Sequence, residues 1–308
     1  MRVTLLGATG FVGSAVLREL ARTGVAVRAV ARRPPAGDGT RFEGDVEWVR
    51  ADLADPVSLR GLCDDSDALL HCASHLGPDA EQCRAVNVLG TRAAVAEARR
   101  AGTRRIVLLS TAAVYGAGPH RGIGTGEVSP EPVSVVSRSR LAAEEFVLAA
   151  DGMVLRPGLI VGPGDRWVVP ALQDALRRVP ARWDAGRALL SLVHVADLAR
   201  LTARIATAPG AGAPPGVYHA SHPDPVLLDD LIAALARCGV VERPEPVWSP
   251  QRCLAALRDT SGWVSERQFR LLAEDHWYRS GTVWRAAGVE PGPGPLARLL
   301  CDGRLVAA

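Results

Sequence analysis

Through the first 110 residues the chain repeats one pattern: a short apolar run, then a stretch whose apolar positions recur every three or four residues. Val3-Thr4-Leu5-Leu6 is apolar and β-branched without alternation, which marks a strand buried on both faces of a parallel sheet. From Phe11 to about Ala21 the apolar residues fall at helical spacing. Gly24 then stops the helix, and Val25 to Val30 makes a second strand. Asp55-Pro56 joins a capping carboxylate to a proline suited to a first helical turn. Ala68 to Cys72 predicts a further strand, Asp79 to Ala101 a long helix, and Arg105 to Ser110 the next strand. Strands separated by helices predict an α/β chain with a Rossmann-type, doubly wound parallel sheet.

Between the first strand and the first helix lies Gly7-Ala8-Thr9-Gly10-Phe11-Val12-Gly13. A glycine string is weak evidence alone but strong in this setting, because each glycine has a task there. The first permits the turn, the second lets backbone N–H groups approach a pyrophosphate, and the third lets helix pack on strand. The helix N-terminus adds partial positive charge. Gly7, Thr9, Gly10, Phe11, Val12 and Gly13 are therefore cofactor-binding candidates. An acidic residue closing the second strand would take the ribose hydroxyls of NAD. This chain instead has Ala31-Arg32-Arg33, and guanidinium groups suit a 2′-phosphate. The expected cofactor is NADPH, with NADH as the alternative. Asp52-Leu53 sits where a loop meets the adenine.

Composition narrows the class. The 308 residues are 48% hydrophobic and 22% charged, as in a soluble globular protein. A net charge of +3 with scattered arginines gives no nucleic-acid footprint. All 36 basic residues are arginine, which abundant Ala, Val, Gly and Pro attribute to codon usage. The six cysteines lack metal-ligand spacing and read as reduced thiols, and no metal is expected. No apolar run reaches the roughly eighteen residues of a membrane span. The first strand begins at Arg2 or Val3, so we expect a cytoplasmic protein.

Several segments together resemble the extended short-chain dehydrogenases/reductases, the family of nucleotide-sugar epimerases, dehydratases and ketoreductases. They are the glycine motif, Asp52-Leu53, His71-Cys72-Ala73-Ser74, Asn87-Val88-Leu89-Gly90-Thr91 and Ser110-Thr111-Ala112-Ala113-Val114-Tyr115-Gly116. Leu155-Arg156-Pro157-Gly158 to Asp165 and Val193-His194-Val195-Ala196-Asp197 continue the match, which covers about residues 1–240. The resemblance implies a dinucleotide-binding domain over 1–163 and 189–209, and a smaller C-terminal substrate-binding lobe over 164–188 and 210–308. It also implies cofactor contacts from Cys72, Ala73, Ser74 and Pro157. Thr111, beside Ser110, would hydrogen-bond the reacting carbonyl.

The family's proton donor is a tyrosine, supported by a lysine four residues on. Here those positions hold Val136 and Arg140, set by Ser139 before and Leu141-Ala142-Ala143-Glu144 after. Valine has no proton to give, and arginine stays charged at working pH. Arg140 could still hold the cofactor ribose. The likeness is thus to atypical ketoreductases lacking the Tyr/Lys pair, with a substrate hydroxyl or water supplying the proton. The expected substrate is a small-molecule ketone of the aromatic polyketide, angucyclinone kind. His75, Tyr115 and Trp167 are its candidate contacts, and the Gly-rich stretch 116–132 is a candidate lid. A non-catalytic NADP(H) sensor and a nucleotide-sugar ketoreductase or epimerase are the alternatives. A homodimer is compatible with the family.

Overall fold

The computed structural model describes residues 1–35, 44–208 and 213–302. Its strands in chain order are β1 (Arg2–Leu6), β2 (Ala26–Ala31), β3 (Val46–Arg50), β4 (Ala68–His71), β5 (Arg105–Leu109), β6 (His120–Ile123) and β7 (Met153–Arg156). There follow β8 (Leu159–Val161), β9 (Arg182–Trp183), β10 (Leu189–Leu190), β11 (Leu192–His194), β12 (Gly216–His219), β13 (Val226–Leu227), β14 (Val247–Trp248) and β15 (His276–Tyr278). Seven of them form one sheet in the order β12-β7-β5-β4-β1-β2-β3. Every neighbouring pair in it is parallel. Its strands β4 and β7 are buried along their whole length, as expected where helices cover both faces.

The helices are α1 (Phe11–Arg22), α2 (Ala80–Gln82), α3 (Thr91–Arg100), α4 (Val135–Leu148), α5 (Val168–Arg178), α6 (Val195–Thr207), α7 (Leu228–Arg237), α8 (Pro250–Arg258), α9 (Glu266–Ala273), α10 (Gly281–Ala287) and α11 (Pro295–Asp302). The long helix expected from Asp79 is capped by the Asp79 side chain, but Cys83–Gly90 between α2 and α3 is a π-helix. Such insertions cluster at functional sites, and this one carries Asn87. Asp55 caps a single 3-10 turn, Pro56–Leu59.

A second core lies among α5, α7, α8, α9 and α11, around Trp183, Leu231 and Phe269. This is the smaller lobe, but its boundaries differ from expectation. β12 adds to the edge of the large sheet, and Val283, Trp284 and Ala287 of α10 enter the core beneath α1 and α6. Two elements of 210–308, β12 and α10, thus pack with the large sheet. The expected boundary at 209/210 falls outside the described residues. The 116–132 stretch also differs from a free lid, because β6 lies parallel to β15 in a four-stranded sheet, β13-β10-β15-β6. Arg121 binds Asp275, and Arg279 binds both Glu127 and the Gly122 carbonyl. No helix among the described residues is long and apolar enough to cross a membrane.

Candidate active site

Strand order reverses between β1 and β4, so the loops leaving their C-terminal ends diverge and open a crevice. The loop after β1 is the glycine motif. A Cβ on Gly13 would lie 2.0 Å from the Gly7 carbonyl oxygen, so helix and loop pack at a distance only glycine allows. Gly7 has φ +81°, and a Cβ there would lie 2.7 Å from the backbone nitrogen of Ala73, in the loop after β4. The two loops therefore touch. Thr9 and Gly10 are exposed, and no side chain caps α1. Its first N–H groups face outward, which suits a pyrophosphate. Val12 turns its side chain into the core, so only its backbone is available. Phe11 packs toward Gly164, where the chain enters the lobe.

Arg32 and Arg33 stand exposed at the end of β2, with no hydrogen bond or ion pair among the described residues. Asp52 spends its carboxylate on the Ala54 N–H at 2.9 Å, and Leu53 is buried against Gly90. Cys72 follows β4, and burial pushes its thiol up to about 12, so it is no thiolate nucleophile. The next residues are held by Asn87, which sequence reasoning did not single out. Its Oδ1 accepts from the His75 N–H at 2.7 Å and from Ser74 Oγ at 3.2 Å. Its Nδ2 donates to the His75 carbonyl at 3.0 Å and to Ser139 Oγ at 2.9 Å. One buried amide thus ties the β4 loop to α4, and only its place in the Asn-x-x-Gly-Thr string hinted at that. The Nε2 of His75 is enclosed without a partner.

On the other side, Ser134 caps α4 and presents Val136, half-buried on its first turn. Arg140 points a terminal nitrogen at the Leu109 carbonyl oxygen and donates to it. Its Nε is enclosed without a partner, and Nη1 makes no hydrogen bond. Burial pulls this guanidinium down to about 10, and it remains a cation at neutral pH. His71 is driven to about 3 by burial and then by Arg140, and its Nε2 meets Thr91 Oγ1 at 3.0 Å. Among the described residues no group of His, Cys, Asp or Glu could hold a metal ion.

Thr111 follows β5 by two residues and caps the 3-10 turn Ala112–Tyr115, its Oγ1 accepting from the Ala113 N–H at 3.1 Å. That leaves the hydroxyl proton free to donate. Pro157 holds the turn from β7 by accepting the Ala112 N–H at 2.8 Å. Two expectations need correction. Ser110 is buried and gives its hydroxyl to Glu144, so it does not reach a substrate carbonyl. Tyr115 is 3% exposed and bonds to Arg156 and His219, because the turn directs its ring into the core rather than toward substrate. Trp167, 52% exposed at the mouth of the lobe, remains open to stacking.

The model of the NAD dependent epimerase/dehydratase family matches residues 3–221. Over 209 residues the chain is 34% identical to the 4-hydroxy-2-methyl-3-oxo-4-farnesyl-3,4-dihydroquinoline-1-oxide ketoreductase of Stigmatella aurantiaca, covering 64% of this chain and 62% of that protein. Less than two thirds of that relative's length is therefore spanned. Over 249 residues it is 30% identical to the 2-alkyl-3-oxoalkanoate reductase of Stenotrophomonas maltophilia, covering 76% of this chain and 74% of that protein. Among solved structures it is similar to MoeE5 in complex with UDP-glucose and NAD, with TM-score 0.72 and 21% identity over 98% of this chain and 97% of that one. A likeness at that identity shows the fold.

Proposed function

The chain belongs to the NAD dependent epimerase/dehydratase family, and from that premise we propose that it is an NAD(P)-dependent oxidoreductase, specifically an NADPH-dependent ketoreductase without a side-chain acid. The observation that carries this reading is Val136, an apolar residue on the helix turn where the family places its proton donor, in a chain whose glycine loop is intact. Arg32 and Arg33, exposed at the end of β2 and unpaired among the described residues, favour the 2′-phosphate form of the cofactor.

Bound along the Gly7–Gly13 loop and the Cys72–Ser74 segment, the cofactor would supply hydride to a ketone carbon. Thr111 donates its hydroxyl proton to the carbonyl oxygen as a hydrogen bond and orients it. Arg140, whose Nη1 makes no hydrogen bond among the described residues, would offer that nitrogen to the ribose hydroxyls and keep a positive charge there. The proton that completes the alcohol comes from a hydroxyl on the substrate or from water. A positioned acid is worth about 10²–10⁴ in rate, whereas orientation supplies roughly 7–11 kcal/mol, so an enzyme survives the loss.

A ketone with a neighbouring hydroxyl carries its own acid. The Stigmatella relative is named for a 3-oxo compound bearing a 4-hydroxyl. The resemblance to the angucyclinone ketoreductase of simocyclinone biosynthesis supports a polycyclic aromatic ketone and a cytoplasmic tailoring step in antibiotic assembly. Trp167 offers a flat surface for such a substrate. Position 190, where nucleotide-sugar relatives often carry a diphosphate-binding arginine, is the fully buried Leu190. That weighs against a sugar nucleotide.

The test is NADPH oxidation by purified protein on polycyclic ketones with and without the neighbouring hydroxyl. Turnover confined to hydroxyl-bearing ketones supports the reading. Tight NADPH binding without turnover on any ketone favours an NADP(H) sensor, which the missing Tyr/Lys pair would also permit.

A further inference from the structure

Thr111 sits inside a six-residue segment, Ser110 to Tyr115, whose two ends are gripped by the two members of one buried ion pair. At the start, Ser110 Oγ donates to Glu144 Oε1. At the end, Arg156 Nη1 donates to the Tyr115 hydroxyl oxygen at 2.8 Å. Glu144 and Arg156 are themselves joined by Nε at 3.1 Å and 3.2 Å and by Nη2 at 2.5 Å, with side chains 2% and 7% exposed. The Tyr115 hydroxyl is also hydrogen-bonded to His219 Nε2, 2.8 Å away. The main chain repeats the grip: Ser110 N–H binds the Leu155 carbonyl at 2.6 Å, and Ala112 N–H binds that of Pro157 at 2.8 Å.

A buried ion pair is weak evidence for stability, because desolvating two charges offsets their attraction. Its contribution here is geometric. Glu144 comes from α4 and Arg156 from β7, so the pair fixes the turn relative to two separate elements. We propose that Glu144 and Arg156 are positioning residues that clamp the Ser110–Tyr115 turn and so present the Thr111 hydroxyl, with Ser110 and Tyr115 as the two points of grip. This rests on the role given to Thr111 above. It also gives a role to Ser110 and Tyr115, both of which are buried.

The test compares Ser110→Ala, Glu144→Gln, Tyr115→Phe and the Ser110→Ala/Glu144→Gln double variant. The measurements are kcat and KM for the ketone, the Kd for NADPH by fluorescence titration, and amide hydrogen exchange of the cofactor-free protein. Ser110→Ala is expected to lower kcat about tenfold while KM and the NADPH Kd stay within about twofold. The double variant should be no slower than Glu144→Gln alone, because Ser110 acts through Glu144. Exchange at Ala112 and Ala113 should quicken about tenfold in Ser110→Ala and Tyr115→Phe, with the rest of the large sheet unchanged. Unchanged kcat and exchange in Ser110→Ala would overturn the proposal, as would additive losses in the double variant. If Glu144→Gln does not fold, the Ser110 and Tyr115 variants decide. If the wild-type protein reduces no ketone, the functional reading fails, and the exchange measurement decides the clamp alone.

Discussion

Arg140, on the second turn of α4, donates a hydrogen bond to the carbonyl oxygen of Leu109 at the end of β5, and no carboxylate pairs with it among the described residues. The nearby carboxylate, Glu144, is committed to Arg156 and Ser110. A buried, unpaired cation costs folding free energy. Arg140→Met is therefore expected to unfold at the same temperature or higher, while its NADPH Kd rises about tenfold. Thermal melts and fluorescence titration of one preparation check both halves. Lower thermal stability with unchanged NADPH binding would mean that Arg140 is only a structural tie.

Arg32 and Arg33 have no hydrogen bond or ion pair among the described residues, so replacing both by Ala should leave stability within about 0.5 kcal/mol. NADPH affinity should fall about 10- to 100-fold and NADH affinity by less than about threefold. The wild-type NADPH Kd should also weaken as salt rises, since the contact is between exposed charges. Equal losses for the two cofactors would show that the arginines do not read the 2′-phosphate.

Gly13→Ala places a methyl group where the Gly7 carbonyl oxygen stands 2.0 Å away, and backbone cannot yield as a flexible side chain can. We expect a loss of at least about 2 kcal/mol and no measurable cofactor binding. Ala8, buried in the same loop, is a control: Ala8→Gly should weaken stability by about 1 kcal/mol and leave binding detectable. Chemical denaturation and NADPH titration of the two variants make the comparison.

Acid should unfold the protein through its buried histidines. Burial, then Arg140, holds His71 at about 3, and burial, then Arg156, holds His219 at about 4. The unfolded chain titrates near 6.5. Below about pH 6.5 the unfolded state binds protons that the folded state refuses, so stability is complete above that pH and falls toward pH 4. Each group removes up to about 1.4 kcal/mol per pH unit in that window. Urea denaturation at successive pH values should show the decline, and His219→Gln should reduce its slope. A flat profile between pH 4 and 6.5 would refute the assignment.

The dinucleotide half was legible because each of its signals is local. Val3 to Leu6, the glycine spacing and the Ala31-Arg32-Arg33 ending follow from residues in contact along the chain. What escaped depended on distant partners. Nothing near Ser110 says that Glu144, 34 residues away, takes its hydroxyl, and nothing near Tyr115 announces His219, 104 residues away. Asn87 was visible as a motif, but its bridge from His75 to Ser139 was not. The lobe boundary failed for a related reason: Gly216–His219 is too short to declare which sheet it joins, and only pairing with β7 decides it.

That late strand has a further consequence. The chain leaves the large sheet after β7, builds part of the lobe, then returns to lay β12 along the sheet's edge, and α10 later seats Trp284 in the same core. The smaller lobe is therefore not a self-contained cassette. A joint near residue 210 would separate β12 from β7, so a graft from a relative would bring a foreign edge strand and a foreign Trp284 into the core of the large sheet.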